Sequence, residues 1–192
     1  TNVLELYDAL KHVSITTLDS HFTTVDCDIL SPIRQLASLR TLRLYEFGTL
    51  SILPFDNWCS SSSNEQNYGK FSNEGLMQLS KLSQLTSLSL SFTSGAMSQN
   101  ILQAICSCGT LLNLELNDIR WDGSTADLSC INELPRLTRF QSTGRAPVTT
   151  LTNNLTLKTI TMKDQQTVDE KSLQPFSSLL AIPTLQCIEI PF

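Results

Sequence analysis

Two histidines, six cysteines and a thin scatter of carboxylates are the residues of this chain that could do chemistry. His21 lies beside Asp19 and Ser20, the three residue types of a hydrolytic triad. Neighbours in sequence rarely converge, however, and no strand-to-helix nucleophile turn surrounds Ser20. His12 with a cysteine is no better, because no cysteine sits at a predicted helix N-terminus among basic neighbours. Asp26, Cys27 and Asp28 hold acidic groups two apart, without a second cluster or calcium-loop spacing. The only close cysteines, Cys106 and Cys108, are spaced wrongly for a zinc site. The seven glycines are scattered singly, so no phosphate-cradling loop exists. The residues therefore predict no enzyme, no metal and no cofactor.

Bulk composition narrows the classes further. At 192 residues and 41% hydrophobic, the chain can bury one core without covalent staples. A net charge of -5 argues against nucleic acid, whose phosphates need clustered Lys and Arg. No apolar run reaches the roughly 18 residues that cross a bilayer, so no membrane partner is expected. The cysteines at 27, 59, 106, 108, 130 and 187 are too sparse for a disulfide framework. They are expected as free thiols, several of them small apolar fillers, which favours a cytoplasmic or nuclear setting. One glycosylation sequon, Asn154-Leu155-Thr156, is a match that chance readily supplies in so threonine-rich a chain.

What positions these residues is a repeat. The pattern L-x-x-L-x-L, with apolar exchanges, starts at Leu10, Leu39, Leu85, Leu111, Leu137, Leu157 and Leu185. Its fourth position falls at Val13, Leu42, Leu88, Leu114, Phe140, Ile160 and Ile188. The alternating end of each copy reads as a short strand, with its leucines on one face. The stretches before it read as helices: 31–39 with Ser31 as N-cap, 71–82, 94–109 ending at Gly109, and 167–182 with a Thr167/Glu170 capping box. These repeats resemble the leucine-rich repeat superfamily over essentially the whole chain. The resemblance is to the intracellular ribonuclease-inhibitor-like or cysteine-containing subclass, as in F-box receptors. "CGTLLNLELNDI", with Cys108 ahead of Leu111, is the nearest stretch. The looser copies also look like plant immune-receptor repeats.

The resemblance implies an α/β solenoid of about seven repeats. A parallel concave β-sheet would be backed by helices or irregular segments on the convex side. Residues 1–192 are read as a single domain with an insertion at about 48–70. The chain starts at Thr1, and its last repeat ends at Ile190 without a polar cap. Further chain or a partner is expected to cover that end. The implied function is a protein-protein interaction scaffold or recognition module, with the substrate-recognition part of a ubiquitin-ligase receptor as its more specific form. The alternatives are a structural subunit of a larger assembly and a ligand-sensing domain of an immune receptor or effector. Candidate partner-binding residues are Arg43, Tyr45, Asn113, Glu115, Asn117 and Arg139 on the strands. To these we add Trp121 in the loop after one strand, and Phe55 and Trp58 in the insertion.

Overall fold

The computed structural model describes residues 12–22, 33, 35–46, 78–92, 99–117, 127–143, 148–163 and 177–190. Seven strands form one sheet: β1 Thr17–Phe22, β2 Thr41–Glu46, β3 Ser87–Phe92, β4 Asn113–Asn117, β5 Arg139–Thr143, β6 Thr159–Lys163 and β7 Cys187–Glu189. They lie in chain order, and every neighbouring pair is parallel. Leu18, Leu42, Leu88, Leu114, Phe140, Ile160 and Ile188 stand in register across all seven. This is a leucine-rich repeat solenoid of the α/β class.

The repeat is longer than the L-x-x-L-x-L core. In five successive copies the positions nine, six and three residues before the marker, and two after it, are also buried. One copy runs Leu79, Leu82, Leu85, Leu88 and Leu90, all buried. Another runs Ile105, Cys108, Leu111, Leu114 and Leu116, equally buried. Spacing by three turns the chain rather than winding it at 3.6 residues. Successive i→i+3 bonds close the steps, as from Leu82 N to Leu79 O (3.0 Å) and Leu85 N to Leu82 O (3.0 Å). Each buried leucine contributes about 1.5–3 kcal/mol, and neither side of a unit is covered until its neighbours stack on it.

That spacing accounts for a difference from the expected helices. Among the described residues α1 Gln99–Cys106 backs the sheet inside the stretch predicted at 94–109, and Ile33 and Ser177 are α-helical within the stretches predicted at 31–39 and 167–182. Short 3-10 helices also back it among the described residues, at Gln78–Lys81, Leu128–Glu133, Val148–Asn153 and Ser178–Ala181. Pro135 and Pro183, five residues before their markers, further bar an α-helix from running into the strand. Asp127 caps Leu128–Glu133, its Oδ1 accepting from Ser129 N at 2.8 Å.

Adjacent repeats are tied by a backbone seam. The carbonyls of Thr16, Arg40, Thr86, Leu112, Thr138 and Lys158 each accept two N–H groups from the next repeat, at 2.8–3.1 Å. Threonines four residues before their markers add side-chain ties. Thr110, Thr156 and Thr184 donate to the carbonyls of Leu85, Leu137 and Leu157 at 2.6, 2.8 and 2.8 Å.

The first repeat differs from the sequence reading. Val13 is 57% exposed, and the strand begins at Thr17, so the marker is Leu18. Ile15-x-x-Leu18-x-Ser20 is a copy of the same kind as Leu137-x-x-Phe140-x-Ser142, with serine in the last apolar place. It fills two of the three apolar places, whereas the overlapping Leu10 match fills all three with Leu10, Val13 and Ile15, and that fuller match drew the wrong register. The insertion at 48–70 lies outside the described residues.

Candidate functional site

Alternation along each strand sends one set of side chains into the core and the other onto the open face of the sheet. Three rows of open-face residues result. The first is Thr17, Thr41, Ser87, Asn113, Arg139, Thr159 and Cys187. The middle row is Asp19, Arg43, Ser89, Glu115, Gln141, Thr161 and Glu189. The third holds His21, Tyr45, Ser91 and Asn117, then Thr143 and Lys163 on β5 and β6.

This face is not uniformly solvated. Ser89 and Ser91 are buried, at 2% and 5% exposure, although they point away from the core. Ser89 sits in register between Arg43 and Glu115, and Ser91 between Tyr45 and Asn117. With strands about 4.8 Å apart, longer neighbours overshadow so short a side chain. Among the described residues the Ser89 hydroxyl has no hydrogen-bond partner. β3 is thus a floor between two raised bands.

The first band is built on β1 and β2. The His21 and Tyr45 rings stack with centroids 4.7 Å apart and planes 14° from parallel. Asp19 lies 3.7 Å from the Arg43 guanidinium and 3.6 Å from His21 Nε2. These charges are about half exposed, so the pair orders the surface more than it stabilises the fold. The second band lies on β4 and β5, where Gln141 Nε2 donates to Asn117 Oδ1 at 3.2 Å. Asn113, Glu115 and Asn117 are half-buried there, and Arg139 is exposed.

The predicted site residues therefore divide into three sets. Arg43 and Tyr45 stand together in the first band, and Asn113, Glu115, Asn117 and Arg139 in the second. Phe55, Trp58 and Trp121 lie outside the described residues. Sequence reasoning missed Asp19 and His21, because the displaced register put His21 on a loop and His12 on the strand. The signal was present in Leu18, whose spacing of 24 residues to Leu42 fits the repeat better than the 29 from Val13.

The arrangement also bears on chemistry. Ser20 is paired with Leu44 and points to the opposite face from Asp19 and His21, so these three do not converge. Among the described residues, no group of three His, Cys, Asp or Glu side chains could hold a metal ion, and no helix is long and apolar enough to cross a membrane. Cys108 fills a core position as an apolar residue would, and burial pushes its thiol up to about 11. Asn154 is fully buried with both amide atoms bonded. The sequon is thereby closed to a glycan in the folded chain.

No protein-family model matches the chain, and no curated protein does. Among solved structures it is similar to the functional domain of InlJ from Listeria monocytogenes, described as including a cysteine ladder. The identity is 16% and the TM-score 0.26, with 94% of this chain and 45% of that one covered. The chain thus spans less than half the length of that structure.

Proposed function

We propose that this chain is a recognition module for another protein, which it holds on the open face of its sheet. The observation that carries this reading is the two-band relief. An aromatic–imidazole stack ringed by Asp19 and Arg43 stands on one side of a serine floor, with amide, carboxylate and guanidinium groups on the other. Tyr and Arg are the side chains that most often anchor protein interfaces. Rigid parallel strands hold them at fixed spacing, which limits the ordering cost of binding. The finer reading, the substrate-recognition part of a ubiquitin-ligase receptor, draws support from the Cys108-x-x-Leu111-x-x-Leu114-x-Leu116 repeat alone.

A quantitative pull-down tests the assignment, with the whole chain as bait in three forms. These are wild type, Arg43→Ala with Tyr45→Ala, and Gln103→Ala on the exposed side of α1. The double variant should lose its captured protein at least tenfold while the Gln103 variant retains it. Thermal unfolding should stay nearly unchanged in both. Equal capture by all three would overturn the open-face assignment.

A further inference from the structure

Behind the sheet, Cys106 ends α1 and Cys130 lies in the 3-10 helix Leu128–Glu133 of the next repeat. Their sulfurs are 2.6 Å apart, across 24 residues of sequence, and both are thiols. The approach is set by packed backbone. α1 rests directly against the 3-10 helix, with Ala104 and Ile105 buried on one element and Leu128 and Ile131 on the other. A reciprocal amide pair pins the two together: Gln99 Nε2 donates to Asp127 O at 3.1 Å, and Asp127 N donates to Gln99 Oε1 at 3.0 Å. A disulfide needs an S–S length of about 2.05 Å, so little more than half an ångström of closure separates the pair from a bond.

We propose that Cys106 and Cys130 are a site of reversible thiol–disulfide modification, closing a covalent clasp between two adjacent repeats when a small-molecule disulfide is the oxidant. The Cys130 sulfur attacks one sulfur of the oxidant, forming a mixed disulfide and releasing the first small thiol. The Cys106 sulfur then attacks Cys130 Sγ and displaces the second small thiol, which takes up the Cys106 proton. Two electrons pass from the two protein thiols to the oxidant, which leaves as two thiols. The close contact of the sulfurs lowers the Cys130 pKa and, with burial, raises that of Cys106, which makes Cys130 the first to attack. Of the other described cysteines, Cys108 points into the core and Cys187 lies on β7, on the opposite side of the sheet.

Oxidised glutathione is the probe. After incubation, unreacted thiols are alkylated and the tryptic peptides mapped. The peptides Leu82–Arg120 and Trp121–Arg136 should be joined, the link should dissolve on reduction, and Cys108→Ser should leave it intact. Cys106→Ser should stop at a glutathione adduct on Cys130, and Cys130→Ser should give no link. The clasped chain should melt roughly 5–10 °C higher than the reduced one. A wild-type chain that remains fully alkylated, stops at the adduct, or links Cys130 elsewhere would overturn the proposal. Since the readout is covalent and on the backing side, it does not depend on the open-face reading.

Discussion

Asn154 occupies the place, six residues before the marker, where the other copies carry Leu36, Leu82, Cys108, Leu134 and Ile182. An amide in that position would be costly if left unpaired. Here Oδ1 accepts from Leu157 N (2.8 Å) and Thr156 N (2.9 Å), while Nδ2 donates to Ile131 O of the preceding repeat (3.0 Å). In the other copies the turn is closed by the backbone, as from Leu137 N to Leu134 O. The shortened spacing of 20 residues between Phe140 and Ile160 coincides with this substitution of side chain for main chain. Asn154→Ala leaves buried backbone groups without partners and should cost about 2–4 kcal/mol, read as a lower urea midpoint at unchanged slope. Asn154→Leu would restore the apolar pattern but not the bonds, so it should not rescue. The sequence offered Asn154 only as a glycosylation motif. Its packing role depends on a three-residue ladder that L-x-x-L-x-L does not contain.

At the scale of elements, strands were legible and their backing only in part, as at α1. Two leucines alternating within three residues at the end of a copy mark a strand and its buried face at Leu42/Leu44, Leu88/Leu90 and Leu114/Leu116. Positions such as Leu79, Leu82 and Leu85 fit a helix and a chain of i→i+3 turns equally well. Only stacking against the neighbouring repeat decides between them. Where polar caps exist, they act between repeats as well as within them. Asp127 receives Ser129 N and the Ser129 hydroxyl on its carboxylate, while its backbone pairs with Gln99. Asp127→Ala should therefore cost about 1 kcal/mol through lost capping. Hydrogen exchange would find the loss concentrated at Ser129 and the following amides. Gln99→Ala should weaken the same 3-10 helix from the adjacent repeat without touching its cap. If exchange in Leu128–Glu133 were indifferent to Gln99, that coupling would be refuted.

The molecule as a whole is a one-dimensional stack, since every sheet contact joins consecutive strands. Its N-terminal register was the piece of architecture that the sequence misplaced. A wrong match at Leu10 outscored the right one at Ile15 because it fills all three apolar places of the pattern, whereas the right one ends in Ser20. The first band of the candidate site went with it, since Asp19 and His21 belong to β1. Stacking also governs how damage spreads. Leu114 is fully buried in the middle strand, in register with Leu88 and Phe140. Leu114→Ala should cost about 2–5 kcal/mol, the transfer term plus a cavity the neighbours only partly fill. In a globule that loss would be shared by all the core amides. In a stack it falls on the mutated unit and its two interfaces. Amide exchange in β3, β4 and β5 should therefore accelerate by about thirtyfold or more, while β1 and β7 respond far less. A uniform acceleration across all seven strands would mean that the solenoid unfolds as one unit. The open-face bands on β1–β2 and β4–β5 would then be mechanically linked through β3, rather than independent halves of a binding surface.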